Sequence, residues 1–543
     1  MSASSKKKLR KEQEAAKLTE KQLTAQKETK KTNLYTALFV AVMVILLVVA
    51  ITIGVKQIIT SSGIREKNTT ALTVGEHELS NAELNYFFVD SVNNFLSQYG
   101  SYAAMFGLDT SKPLDEQYVD EEQTTTWADN FLDSAKENAK AVYAVNDAAK
   151  AEGFTLSEEE QLSITSTITN LRSYAMIYGF SDADDYLKAV YGNGSSVESY
   201  EAYLQRNTIY TAYQERYADS LTYDEAALKA ADSENYTSYN YNTYYVAASR
   251  FLEGGTTAED GTTTYSDEEK AASVTAAEEA AKSLAGEGST TVEALDAAIA
   301  ALTINSESAS AASTAHEGTL YTSISTVYSD WLADSSRKEG DVAYFASEST
   351  STDEDGNEVV TTNGYTVVCY LGTEDNSFAL KNVRHILIPF LGGTTDSSTG
   401  VTTYSDEEKA TAKEEAEEVL ATWKAGEATE ESFAALVQEH STDSGSIDNG
   451  GLYEDIYPGQ MVANFNDWCF DADRKAGDTG IVESTYGYHV MYFVGNSDMT
   501  YRNYLIQQDL LSDDMDEWYN ALLESVTVTE GSTKYINTSL VLG

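Results

Sequence analysis

Polar and apolar positions fall into three regimes along the 543 residues. The first is an uncharged apolar run of 22 residues, "LYTALFVAVMVILLVVAITIGV", at 34–55. At about 1.5 Å rise per residue, a helix of that length spans a hydrocarbon layer of about 30 Å. In the second regime, from 71 to about 240, Tyr, Phe and Leu recur at three- and four-residue intervals, which predicts helices. These are expected near 124–153, 157–178, 181–191 and 197–221. An earlier helix should start at Ser80, with Glu83 completing a capping box. The third regime alternates apolar and polar residues in short segments, which predicts strands.

The strand-rich part contains a repeat. "TYSDEEKA" occurs at 264–271 and again, 139 residues on, at 403–410. Locally it is a helix start, with Ser266 and Glu269, then Ser405 and Glu408, as capping boxes. Each helix is expected to end near a glycine, Gly286 and Gly426. The likeness reaches further in both directions. "YYVAASRFLEGG" (244–255) faces "VRHILIPFLGGT" (383–394), and "SDWLADSSRKEGD" (329–341) faces "NDWCFDADRKAGD" (466–478). "GYTVVCYLG" (364–372) faces "GYHVMYFVG" (487–495). Strand, capped helix, Trp-bearing helix and closing strand recur in one order, which predicts a duplicated α+β domain.

The expected organisation is a basic tail over 1–33, a transmembrane helix over 34–55 and a helical domain over 66–240. Two related α+β domains follow over 241–375 and 380–497. A helix and strand at 498–543 would complete the helical domain.

Charge adds direction to this layout. Net charge is −51. Residues 1–32 hold ten Lys and Arg against four Asp and Glu, a net of +6, which leaves −57 for the rest. Cationic flanks stay in the cytoplasm, so the C-terminal bulk should lie outside the membrane. The long leading region and the lack of a small-x-small site favour an uncleaved anchor over a signal peptide. So acidic an exterior repels nucleic acid, so no nucleic-acid partner is expected. Cys369 and Cys469 are too few for a disulfide scaffold and sit in apolar company, where buried thiols are expected. Cys/His zinc spacing, a Gly-rich phosphate loop and a G-x-S-x-G elbow are absent from the sequence, so no metal or cofactor is expected.

The second copy holds a set of residues that the first lacks. His385 stands mid-strand in "VRHILI" and His489 in "TYGYHVMYF". Asp443 and Leu452 lie in "EHSTDSGSIDNGGL". Gln460, Met461 and Phe465 lie in "PGQMVANF", with Met461 and Phe465 four apart and so on one helix face. Singly each is weak, because a strand histidine or a Met/Phe pair is usually structural. In this order, over 382–497, they resemble the parvulin family of peptidyl-prolyl isomerases. The resemblance implies a four-stranded antiparallel sheet with helices. It also implies a central pair His385 and His489 beside Asp443, a proline-ring pocket of Leu452, Met461 and Phe465, and Gln460 on its flank. One departure is the extra residue in "YEDIYPG" after Leu452, which puts the rim in question. The wider architecture resembles extracytoplasmic foldases of the PrsA and SurA type, with a SurA-N-like helical chaperone domain.

The implied function is isomerisation of X-Pro bonds in unfolded or partly folded secreted polypeptides, combined with chaperone activity. The loop after the first strand has no basic residue until Lys409, so no phosphopeptide preference is expected. The alternatives are a holdase that uses parvulin modules only to bind clients, and a surface adhesin. Laying the first copy over the second sets Val246, at the spacing of the octapeptide, at the place of His385, and Thr366, through the closing-strand motif, at that of His489. Across a gap, Ala311 meets Asp443 and Ile324 meets Met461. The first copy is therefore expected to be degenerate and inactive.

Overall fold

The computed structural model describes residues 62–542, apart from 101 (side chain), 121, 259–260, 303–311, 353–355 and 398, and a short stretch at 6–8 and 10. The anchor expected over 34–55 lies outside the described residues. Among the described residues no helix is long and apolar enough to cross a membrane. The fold is mixed α+β with antiparallel sheets. It divides into two compact units, one running up to Thr222 and resuming at Asp513, the other covering Tyr223–Ser512.

In the first unit five long or medium helices follow a strand hairpin: Asn81–Tyr99, Trp127–Ala151, Glu158–Ile177, Ala183–Tyr191 and Val197–Ser220. Side-chain caps start them. Ser80 and Glu83, Thr126 and Asp129, and Ser157 and Glu160 each exchange hydrogen bonds with the opposite backbone N–H, satisfying donors that a helix start leaves orphaned. Their apolar faces close on one core with Leu72, Tyr86, Phe88, Trp127, Phe131 and Leu187 at its centre. The C-terminal strand Val528–Glu530 pairs antiparallel with Thr70–Val74, Leu72 opposite Glu530. The end of the chain thus completes a sheet begun at its start.

The second unit holds two four-stranded antiparallel sheets of the same order. In the first sheet the order is Thr314–Leu320, Ser238–Ala247, Glu358–Glu374, Val342–Thr352. In the second it is Leu452–Ile456, Ala379–Pro389, Gly487–Thr500, Thr479–Glu483. The repeated octapeptide opens Asp267–Ala285 and Asp406–Ala425, and both capping boxes form. Each helix covers one face of its sheet, through Ala277 and Ala281 onto Val246 and Val367, and through Ala412 and Ala416 onto Ile388 and Val490. A short Trp-bearing helix, Ser329–Ala333 or Ala463–Phe470, lies on the other face.

Strand pairing corrects the alignment of the copies. In the second sheet Gly487 pairs with Pro389, His489 with Leu387 and Met491 with His385. In the first, Gly364 pairs with Ala247, Thr366 with Tyr245 and Val368 with Thr243. Thr366 does stand where His489 stands. The counterpart of His385 is Thr243, however, not Val246, which lies buried on the helix-covered face. The reason is the turn Ala248–Phe251, which follows the first strand directly. In the second copy Phe390 follows Pro389 with no such turn. The three extra residues of the first copy shift the strand spacing from 139 to 142 (385 against 243). Ala311 lies outside the described residues.

Candidate active site

The site is built on the two central strands of the second sheet. Side chains alternate across a strand, so Val383, His385 and Leu387 share the face away from Asp406–Ala425. His489 and Met491 share it across the ladder. The imidazoles of His385 and His489 meet with Nδ1 to Nδ1 at 3.0 Å and rings 24° from parallel. Both are nearly fully buried, at 3% and 5% exposure. Phe465 stands edge-on to both rings at 5.5 and 5.3 Å.

Asp443 comes from the loop after the helix Glu430–His440 and lies 2.8 Å from His385 Nε2. A "GG" turn brings this loop against the strand. Gly450 and Gly451 have φ of +71° and +75°, and a Cβ on Gly451 would sit 2.4 Å from the carbonyl oxygen of His385. Only glycine tolerates that pairing of positive φ and close approach. The Gly451 carbonyl then accepts from the His385 N–H at 2.9 Å.

One tautomer assignment satisfies all of these hydrogen bonds at once. The Asp443 carboxylate can only accept, so His385 Nε2–H donates to it. His385 Nδ1 then accepts from His489 Nδ1–H, and His489 Nε2 accepts from the Ser484 hydroxyl at 2.7 Å. Four side chains form one directed chain ending on a carboxylate. Ser446 and Tyr453 (3.0 Å) also donate to Asp443. The bond from His385, followed by those from Ser446 and Tyr453, holds this carboxyl well below the usual carboxylate range against the opposing effect of burial. Burial, and then the neighbouring His385, pushes His489 down to about 4. Near pH 7 His489 is therefore a neutral imidazole, next to a charged carboxylate one residue removed. Burial pushes the Cys469 thiol up to about 12, so it is no nucleophile.

The ring pocket differs from the expectation at one position. Phe465 is buried, and Met461 packs on the same cluster with Ile456, Met491 and Phe493. Leu452 pairs with Arg384 and Tyr453 with Val383. Since Arg384 and Val383 face opposite ways, Leu452 is turned from the histidines and Tyr453 toward them, its ring 5.4 Å from that of His385. Tyr453 thus replaces Leu452 in the site. Gln460 is exposed and closes its own turn, its Oε1 accepting from the Tyr457 N–H at 3.1 Å. The extra residue after Leu452 is absorbed as a bulge between Tyr453 and Ile456, where Asp455 takes a φ of +53°. Ser446, Tyr453 and Ser484 carry no signal of their own in the sequence. Their parity and spacing from Asp443 and His489 could have pointed to them. Beside Ser484 opens a cavity of about 580 Å³, lined among others by Phe390, Tyr404, Lys409, Val462 and Glu483.

Tyr453→Phe removes one donor to Asp443 and leaves the ring in place. It is expected to lower turnover on a proline peptide about ten- to a hundredfold, the worth of one charge-assisted hydrogen bond, with unchanged folding by circular dichroism. Wild-type turnover would show that the phenol is only packing.

Residues 365–495 match the family described as the PPIC-type PPIASE domain. The match begins inside the strand Glu358–Glu374, upstream of the sheet that carries the site. Foldase protein PrsA 1 of Listeria innocua is 42% identical over 64 residues, covering 12% of this chain and 22% of that protein. Foldase protein PrsA 3 of Bacillus anthracis is 29% identical over 120 residues, covering 20% and 42%. This chain therefore spans well under half the length of these curated relatives. The crystal structure of PrsA from Bacillus subtilis is 15% identical, with 75% of this chain and 87% of that chain covered at a TM-score of 0.24, too low to equate the two architectures. Residues 365–495 are thus similar to the PPIC-type PPIASE domain, in a chain similar over part of its length to the PrsA foldases.

Proposed function

We propose that this chain is an extracytoplasmic peptidyl-prolyl cis-trans isomerase and chaperone for secreted polypeptides, held at the membrane by residues 34–55 with the N-terminus inside. The observation that carries the catalytic part is the His385–His489 pair tied to Asp443 beside Phe465, within a segment of the isomerase family. Rotation about an amide faces a barrier of about 18–20 kcal/mol and needs no nucleophile. It needs a seat for the proline ring and surroundings that favour the twisted amide over the planar one. Met461, Phe465 and Tyr453 supply apolar surface for the ring. The directed chain from Ser484 to Asp443 fixes two imidazoles in one geometry, at little reorganisation cost when the amide twists. His385, Asp443 and His489 are the proposed catalytic residues.

In this reading the first sheet is a parvulin-like domain without isomerase activity. Thr243 and Thr366 stand at its histidine positions, and Tyr328 and Ile324 pack where a ring seat would lie. The helical first unit with its returning strand is the proposed chaperone part. The full chain is expected to accelerate cis-trans isomerisation of a proline tetrapeptide and to suppress aggregation of an unfolded client. Aggregation suppression without any acceleration would leave the holdase reading standing and remove the enzyme.

A further inference from the structure

We infer that Tyr457, Tyr501 and Tyr504 form an aromatic clamp that positions the turn and helix carrying Met461 and Phe465. The start of the long helix Tyr501–Ser525 thereby becomes a working part of the isomerase site. The inference rests on the isomerase reading for its functional meaning, and on geometry for the clamp itself.

The bulge at Asp455 turns the edge strand so that Ile456 enters the core and Tyr457 leaves it. The Tyr457 ring then lies on Tyr504 at 5.0 Å and 23°, and on Tyr501 at 6.2 Å and 7°. Tyr501 also stacks on Phe378 at 5.6 Å, and Phe378 meets Phe470 edge-on at 6.2 Å. Phe470 is the last residue of the helix that bears Phe465. The helix start therefore meets the segment from Tyr457 to Phe470 at both ends, through Tyr457 before Met461 and through Phe378 after Phe465.

Both sides of the clamp are fixed by hydrogen bonds. On one side, the Tyr457–Gln460 turn is closed twice, by Gln460 N–H on the Tyr457 carbonyl (3.2 Å) and by Tyr457 N–H on Gln460 Oε1. Asn466 Oδ1 accepts from the Gly459 N–H at 2.8 Å, which ties the turn to the helix. On the other side, Tyr501 N–H donates to the Phe378 carbonyl at 2.9 Å and Arg502 N–H to that of Asn376 at 2.7 Å. Between two rigid supports the stacked rings set where the turn sits. Met461 follows that turn directly. Tyr501 and Tyr504 lie beyond 495, outside the segment that matches the isomerase family, so the clamp adds to that domain from the sequence that follows it. Tyr457, Tyr501 and Tyr504 are positioning residues, since none of them reaches the histidines.

The test uses the full chain with ¹³C-methyl methionine, the Met461 signal being assigned through Met461→Leu. Tyr457→Ala and Tyr504→Ala are expected to raise KM for a proline tetrapeptide about tenfold with kcat nearly unchanged, as loss of ring binding requires, and to shift or broaden the Met461 methyl signal. Tyr504→Phe, which keeps the stack, should match the wild type in both. If Tyr504→Ala fails to fold, Tyr504→Leu keeps bulk without the stack and is judged by the same criteria. An unmoved Met461 signal with wild-type KM in the folded variant overturns the clamp. Equal damage from Tyr504→Phe also overturns it, since the hydroxyl rather than the stack would then matter. A wild-type chain without turnover would sink the isomerase reading, while the Met461 signal would still decide the clamp.

Discussion

His385→Ala or His489→Ala in the full chain is expected to lower kcat/KM on a proline peptide by about a hundredfold, or about 2.7 kcal/mol of transition-state stabilisation. The size follows from the wiring of the site. Removing His489 leaves His385 Nδ1 without its donor and the Ser484 hydroxyl without its acceptor. Removing His385 strands Asp443, whose carboxylate loses its strongest partner while staying mostly buried. Either change breaks the chain as a unit, so the losses of the double variant should fall well short of additive. Each variant also opens a cavity beside Phe465, so its fold must be checked by methyl or amide spectra. Turnover within a few-fold of wild type in both folded variants would mean that the histidines are structural, or that the first sheet is catalytic despite Thr243 and Thr366.

Lowering pH from 6.5 to 4 is expected to cost the second sheet about 3 kcal/mol of stability. His489 keeps its neutral form in the folded sheet down to about pH 4, because burial and the adjacent His385 oppose the charge. In the unfolded chain it takes up a proton near the ordinary value of about 6.5. Between these pH values the unfolded state binds more protons, so stability falls as pH falls, and the His489 contribution levels off below about 4. Asp443 acts in the other direction of charge but a lower window. Its carboxyl is depressed from the usual value, so its contribution is intact above about pH 4 and is lost only below it. Amide exchange at Ile386 and Val490, corrected for intrinsic rates, reads the stability of the sheet without assuming that the whole chain unfolds in one step. His489→Gln should flatten the profile between 6.5 and 4. A flat wild-type profile would show that His489 titrates normally in the fold.

Much of this architecture is set by local rules that a sequence carries openly. Ser80, Ser266 and Ser405 are followed three residues later by Glu, and each forms a capping box, because the cap needs only residues within one turn. The four long segments of alternating residues became central strands for an equally local reason. His385, Asp443 and His489 were legible as a set through their order and surrounding motifs, and the fold brings them within hydrogen-bond distance.

What the tertiary structure alone decided concerns parity, register and distant contacts. Leu452 and Tyr453 are neighbours in sequence, yet a one-residue step reverses the face, and only the pairing with Arg384 and Val383 tells which of them meets His385. An identical octapeptide suggested a spacing of 139 between the copies. Ladder partners gave 142 for the first strand, since three residues in the turn Ala248–Phe251 leave the helix cap untouched while sliding everything before it. The stack of Tyr457 on Tyr501 and Tyr504 joins positions more than forty residues apart, which no local pattern encodes. Caps and periodicity act over one or two turns of chain, so the sequence by itself determined the elements and the chemistry available to them. Register and ring packing depend on loop lengths and on surfaces that meet only after folding, so the final composition of the site belongs to the tertiary structure.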